Sequence, residues 1–316
     1  MLREDASGLR AAPAANPGPA GEPGDHLIAA LAANAASHGS AIAMRERDRG
    51  IWQETSWQDY LRQVLEAAAG LEQLGVVPHE KVLVVGDNRP ALYFGMLGAI
   101  ALRAMPSPAY PDFTPEQLLG QLQREGVRFA IAEDQEQVDK LVALREHYQG
   151  LEWIIYDDPR GLAGHEPEGT MAFTELARRG RERLKAEPTL ANELTNRPRA
   201  DDIAILLHSS GTTGAPKGIP LKHRHVLSAV RSAAQAGYFR TGETHMAYMP
   251  IAWVGDFIFT IAAALALQFS VNIPEKQETV QRDLREIVML AHRHNAIDRL
   301  AAGEELGLRQ DLRAAA

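Results

Sequence analysis

The run Lys81–Gly86 (KVLVVG) has no polar residue between its lysine and its glycine. A strand of that pattern must be covered on both faces, which points to a parallel sheet flanked by helices. Asp202–His208 (DIAILLH) is a second run of the same kind. Helical patterns alternate with such runs along the chain. Asp25 is expected to cap a helix with Leu27, Ile28, Leu31 and Ala35 on one face. Ala41–Met44 and Ile51–Thr55 flank a polar turn ending in Gly50 and predict a hairpin. Ser56 and Asp59 form a capping box for the next helix, which Gly75 closes. Pro90–Ala104 reads as a helix, and Pro115 after Thr114 starts another. Phe129–Ala132 and Trp153–Tyr156 read as strands, Gln137–His147 and Phe173–Lys185 as helices, and Pro188–Arg199 as a polar linker. Repeated β-α-β units predict an α/β fold with doubly wound, mostly parallel sheets flanked by helices.

The formal net charge of -8 gives no basic face for nucleic acid. The chain has no cysteine, which excludes disulfides, thiolate metal sites and a cysteine nucleophile. The proline- and glycine-rich residues 1–24 have no apolar signal core and read as a disordered tail. A cytoplasmic location is the expectation. Ile251–Phe269 is the most apolar stretch, but its uncharged part, Phe257–Leu267, falls short of the ~20 residues that span a bilayer. It reads as a buried helix, and peripheral membrane contact stays open. His223 with His225, and His292 with His294, are H-x-H pairs without a third ligand, a weak pattern for a metal, and the first pair is expected on the surface.

The most informative segment follows the second apolar run. His208-Ser209-Ser210-Gly211-Thr212-Thr213-Gly214-Ala215-Pro216-Lys217-Gly218 turns a buried strand into a loop of hydroxyls and glycines that ends in one lysine. Gly211 and Gly214 let backbone N–H groups approach an anion. Ser209, Ser210, Thr212 and Thr213 add rotatable donors, and Lys217 adds a point charge suited to polyphosphate. The segment is not a Walker A loop, because Pro216 precedes the lysine and Gly218 follows it. A flexible linker would need neither the apolar strand before it nor the Pro-Lys-Gly after it.

Ser210–Gly218 resembles the signature loop of the adenylate-forming superfamily: acyl-CoA synthetases, luciferases and peptide-synthetase adenylation domains. Ala109-Tyr110-Pro111-Asp112, Ala132–Lys140, Ile155–Gly161, Tyr248–Asp256, Val271–Pro274 and Glu278–Gln281 are similar to segments of bacterial long-chain fatty-acid CoA ligases. The resemblance covers residues 25–287. It implies that a fatty acid attacks the α-phosphate of ATP, with Mg2+ present, and that coenzyme A then takes the acyl group. It assigns the ATP phosphates to Ser209, Ser210, Gly211, Thr212, Thr213, Gly214 and Lys217, a Mg2+ ligand to Thr213, and the acyl pocket to Trp253. A plain core tryptophan is the competing reading of Trp253. Tyr248 and Asp256 read as structural.

The same resemblance shows departures. The 316 residues contain no Tyr-Gly-x-Thr-Glu segment, no Thr-Gly-Asp segment and no small C-terminal domain with its catalytic lysine, so no catalytic residue is assigned. Residues 25–287 are therefore read as part of an AMP-binding N-terminal domain. Residues 288–316, rich in Ala, Arg and Leu, read as an atypical tail such as a shifted reading frame would produce. The expectation is an acyl-CoA synthetase fragment that is incomplete and inactive. One alternative is a nonenzymatic remnant that binds nucleotide weakly or serves as an interaction module. Another is a ligase for an aryl or amino acid.

Overall fold

The computed structural model describes residues 25–162, 164, 167–209 and 217–287. In chain order its elements are α1 (Leu27–His38), β1 (Ile42–Asp48), β2 (Ile51–Ser56), α2 (Trp57–Gln73), β3 (Lys81–Val85), α3 (Pro90–Ala101), β4 (Met105–Ala109), α4 (Pro115–Glu125), β5 (Phe129–Ala132), α5 (Gln135–Leu144), β6 (Trp153–Tyr156) and β7 (Thr170–Ala172). There follow α6 (Phe173–Ala186), α7 (Leu190–Asn196), β8 (Ile203–Ser209), β9 (Lys217–Lys222), α8 (His223–Gln235), β10 (Thr244–Met246) and β11 (Ser270–Ile273). A π-helix, Phe257–Ala263, lies between the last two strands and continues into a short α-helical turn.

The central sheet has the order β4-β3-β5-β6-β7 and is parallel throughout. Strand alternation divides its side chains between two cores. Val82, Val84, Phe129, Ile131 and Ile155 face one core with α2, α3 and α6. Leu83, Val85, Ala130, Ala132, Ile154 and Tyr156 face the other with α4 and α5. The apolar Lys81–Gly86 run is thus a strand covered on both sides, as its composition requires. On the first face α2 and α6 approach so closely that a Cβ on Gly180 would lie 1.8 Å from the Glu66 carbonyl oxygen, which leaves room for glycine alone.

A second sheet, β10-β11-β1-β2, joins the two ends of the described chain. β1 pairs with β2 as an antiparallel hairpin and with β11 in parallel. β8 and β9 form a two-stranded antiparallel hairpin.

Several local expectations are met by their chemistry. Ser56 accepts from the Asp59 N–H, and Thr114 and Gln117 form a reciprocal capping box after which Pro115 opens α4. Gly75 follows α2 with φ 100°, in the left-handed region.

Others need correction. His26, rather than Asp25, caps α1: its backbone is extended and its Nδ1 accepts from the Ala29 N–H at 3.2 Å. The expected linker contains α7, because Leu190 and Leu194, one turn apart, both bury against the core. The strand β4 was hidden by Pro106 and Pro108. Met105 donates its N–H to Glu80, so alternation turns the two proline nitrogens toward the opposite edge, where no donor is needed. β8 packs beside β4 without an assigned ladder, and Arg103 before β4 forks onto Asp202 before β8 at 2.8 and 2.9 Å. His223 is buried: its Nδ1 accepts from the Leu27 N–H, and burial, with His26 beside it, lowers its pKa to about 3. His225 is exposed, so the two histidines do not converge.

A buried polar bracket ties the central sheet to the segment ahead of the π-helix. Asn88, in the turn after β3, donates to the carbonyls of Ala247 and Met249 and to Asp256 Oδ1, at 3.2, 2.9 and 3.2 Å. Tyr93 and Thr260 donate their hydroxyls to the same carboxyl, at 2.9 and 2.8 Å. Burial raises the Asp256 pKa to about 7, against these donors, which lower it. A folded-state pKa above the unfolded value gives stability that is full below the unfolded pKa, about 4, and lost as pH rises through about 7. Asp256→Asn is therefore expected to gain stability relative to wild type between those pH values, by about 4 kcal/mol. Denaturant unfolding of both proteins at several pH values checks this, and a difference that does not change with pH would refute it.

Candidate functional site

The β8–β9 hairpin carries the candidate phosphate loop. β8 ends at Ser209, β9 begins at Lys217, and these two residues are direct partners in the ladder. The two ends of the loop are thereby pinned side by side, with Lys217 exposed. Ser210, Gly211, Thr212, Thr213 and Gly214 lie outside the described residues. The loop returns as a strand, so this part of the chain departs from the β-α rhythm read elsewhere. Its cause is visible in Lys217–Lys222: Ile219 and Leu221 alternate with Gly218, Pro220 and Lys222.

Trp253 is half-exposed, which rules out the core-tryptophan reading. It caps the short helix Val254–Asp256, and Tyr248 and Val254 beside it in sequence are exposed as well. Asn88 holds the backbone of this segment at Ala247 and Met249, and Asp256 anchors its other end. The π-helix that follows differs from the plain buried helix expected there, though Phe257, Ile261 and Leu265 are buried as anticipated.

A concavity elsewhere on the molecule has no counterpart among the sequence expectations. It opens at the carboxyl ends of β3, β5 and β6, has a volume of about 620 Å3, and is lined by Arg89, Glu133, Glu46 and Asp157 among others. The chain turns to α3 on one face after β3 and to α5 on the other after β5. This is the switch point where doubly wound sheets place ligands. Gly86 has φ 147° here, and a Cβ on it would meet Glu133 Cβ at 2.3 Å. The Glu133 carboxylate accepts from the Asp87 N–H at 2.6 Å and pairs with Arg89 at 3.0 Å. Burial raises Glu46 to about 7 and Asp157 to about 6; Arg89 opposes both shifts, and neighbouring carboxylates add to them. Eight carboxylic side chains line the cavity against four basic ones. That balance disfavours a polyphosphate in this crevice. The signal for this crevice was present in the sequence as Asp87-Asn88-Arg89, polar residues placed directly after a buried strand.

Among the described residues no group of three or more His, Asp or Glu side chains is arranged to hold a metal. No described helix is long and apolar enough to cross a membrane.

Comparison with known proteins agrees with this architecture. A family model described as AMP-binding enzyme matches residues 31–296. A long-chain-fatty-acid–CoA ligase of Drosophila melanogaster, heimdall, is 27% identical over 233 residues, covering 71% of this chain and 33% of its own length. The 4-coumarate–CoA ligase 3 of Arabidopsis thaliana is 28% identical over 188 residues, 58% of this chain and 30% of its own length. The chain thus spans about a third of the length of these curated relatives. The crystal structure of the anthranilate CoA ligase AuaEII with anthranoyl-AMP shares the fold, with a TM-score of 0.65, 20% identity, and coverage of 78% of this chain and 44% of that one. With a hairpin-borne Ser/Thr/Gly loop, a doubly wound sheet and a family match across most of its length, the chain belongs to the AMP-binding enzymes, the adenylate-forming ligases.

Proposed function

We propose that this chain is the phosphate-binding portion of an AMP-forming acyl-CoA ligase. The observation that carries the reading is the β8–β9 hairpin, which sets Ser209 against Lys217 at the mouth of a loop whose sequence is hydroxyls and glycines. In this reading the hydroxyls of Ser209, Ser210, Thr212 and Thr213 and the loop N–H groups hold the β and γ phosphates of ATP. Lys217 offsets the charge that gathers on the departing pyrophosphate as a carboxylate attacks the α-phosphate. Thr213 is the hydroxyl that would meet a bound Mg2+, which would neutralise part of the same charge. Coenzyme A is the second acceptor.

The substrate proposed is a long-chain fatty acid, supported by the flanking segments that resemble that branch and by the Drosophila relative. Trp253 is the aromatic side chain proposed for the acyl pocket, supported by its exposure and by the bracket that fixes its segment. The coumarate ligases among the relatives favour a second reading, an aryl acid in the same place. Quenching of Trp253 fluorescence, taken as the difference from Trp253→Phe, separates the two. Response to palmitate but not to coumarate is expected.

The loop's donors are local, so the 316 residues should bind pyrophosphate and ATP with millimolar affinity, about 4 kcal/mol, and AMP more weakly. Lys217→Ala should remove most of this binding, while His225→Ala, on the exposed face of α8, should leave it unchanged. Calorimetric titration is the test; equal affinity for AMP and pyrophosphate, or indifference to Lys217→Ala, would overturn the assignment. We further propose that these residues alone do not complete adenylation, because no adenine, ribose or catalytic-lysine segment accompanies the loop, and groups that act as a unit lose most of their effect apart. ATP–pyrophosphate exchange with palmitate should stay far below ~1 per second. A rate at that level would show that the other segments are dispensable.

A further inference from the structure

The first turn of α1 is capped by two imidazoles from distant parts of the chain. Helices ordinarily begin with Asp, Asn, Ser or Thr, whose side-chain oxygen accepts one of the unpaired N–H groups of the first turn. Here His26 Nδ1 accepts from the Ala29 N–H at 3.2 Å, and His223 Nδ1, 196 positions away, accepts from the Leu27 N–H at 3.4 Å. The two rings meet edge to face, with centroids 6.1 Å apart. His223 is the first residue of α8 and directly follows β9, so these bonds tie α1 to the end of the hairpin.

Each accepting Nδ1 needs its lone pair, which places the ring proton on Nε2 in both residues. A second proton would occupy Nδ1 and turn the acceptor into a donor that faces another donor. Its charge would also stand at the positive end of the α1 dipole. A hydroxyl or amide cap has neither weakness. Burial lowers the pKa of both rings, that of His223 to about 3. The charges that act on them are Asp202, before β8, on both rings and Asp25, before α1, on His26; these favour protonation but do not overcome burial. Both carboxylates face arginines. Arg103 forks onto Asp202 at 2.8 and 2.9 Å, and Arg231 of α8 lies 3.9 Å from Asp25. The other elements packed against α1 are α2, α3, α7 and the turn Ala264–Leu267. α3 and that turn contain no charged residue, Glu193 of α7 is exposed, and Asp59, Glu66 and Glu72 of α2 pair with Arg62 and Arg183.

We propose that His26 and His223 form an acid-sensitive latch: while neutral they hold the first turn of α1 against the start of α8, and protonation of either releases it. The sign follows from the direction of the shifts. Each ring is harder to protonate in the closed state than at the ordinary imidazole value of about 6.5. The latch therefore contributes fully above that pH and is lost as pH falls below it, because the open state binds more protons.

The test is amide hydrogen exchange of the full chain between about pH 7.5 and about pH 5, with each rate divided by the intrinsic rate at that pH. Protection of α1 in wild type should fall at least tenfold, since an imidazole of ordinary pKa favours its protonated form by about thirtyfold at the lower pH. Protection of β3 should fall by less. Loss of the same size in both elements would mean global unfolding, and no loss in α1 would mean no latch; either result overturns the proposal. His26→Asn keeps a side-chain acceptor that does not titrate, and the fall in α1 should be smaller in this variant. A fall as steep as in wild type would also overturn it. A further measurement needs no substitution. Nitrogen NMR of the wild-type imidazoles should show the Nε2-protonated tautomer in both rings at neutral pH. Protonation of either ring near its ordinary pKa while α1 stays protected would overturn the latch.

Discussion

The fold depends on burying β3 from both sides. Its residues alternate between two cores, Val82 and Val84 toward α2, α3 and α6, Leu83 and Val85 toward α4 and α5. Each fully buried aliphatic side chain contributes about 1.5–3 kcal/mol relative to exposure. The number matters less than the geometry it enforces. A strand with no polar face must be covered on both sides, and each parallel crossover brings its helix to one face or the other. When α3 goes one way and α5 the other, a gap is left above the ends of β3 and β5. The acidic crevice is therefore a consequence of covering β3, and Gly86 is the residue that lets the chain turn sharply enough to form it.

Later segments are attached to this sheet by buried polar contacts between residues far apart in sequence. Arg103 with Asp202, Asn88 with Asp256 and Arg45 with Asn272 span 99, 168 and 227 positions. Such contacts add little net energy when formed, because desolvation offsets most of the attraction, but leaving one partner alone is costly. Their effect is to specify one arrangement. Burial by itself would raise the Asp202 pKa, yet the Arg103 fork and the Arg199 N–H hold it below the usual carboxylate range. The carboxylate stays charged and keeps β8 registered beside β4. Asp256 is the opposite case. Its donors do not overcome burial, so the same kind of bracket carries a pH dependence.

Elements governed by local chemistry were legible in the sequence. The capping residues Ser56 and Thr114, the strand Lys81–Val85 and the hairpin around Gly50 follow from neighbours a few positions away. What escaped depended on distant partners. β4 contains two prolines, and it is a strand because β3 needs a partner on that edge and receives its bonds from the other residues. The pairing of β1 with β11 has no local signal. His223 lies in a polar stretch, and only the fold reveals that it accepts from the first turn of α1. For the candidate site, the hairpin ends Ser209 and Lys217 were readable as chemistry. Their direct pairing across the hairpin was not.

The crevice and the hairpin end differ in charge. The crevice concentrates carboxyl groups, two of them held at a pKa of about 6 or about 7 by burial, and Arg89 reaches both Glu46 and Glu133 without neutralising the set. The hairpin end instead carries the exposed Lys217, opposite Ser209 in the ladder. A chain of net charge -8 has a long-range field that repels polyphosphate. That field is screened within about 8–10 Å at ordinary ionic strength. Anion recognition is then decided by the few groups inside that distance.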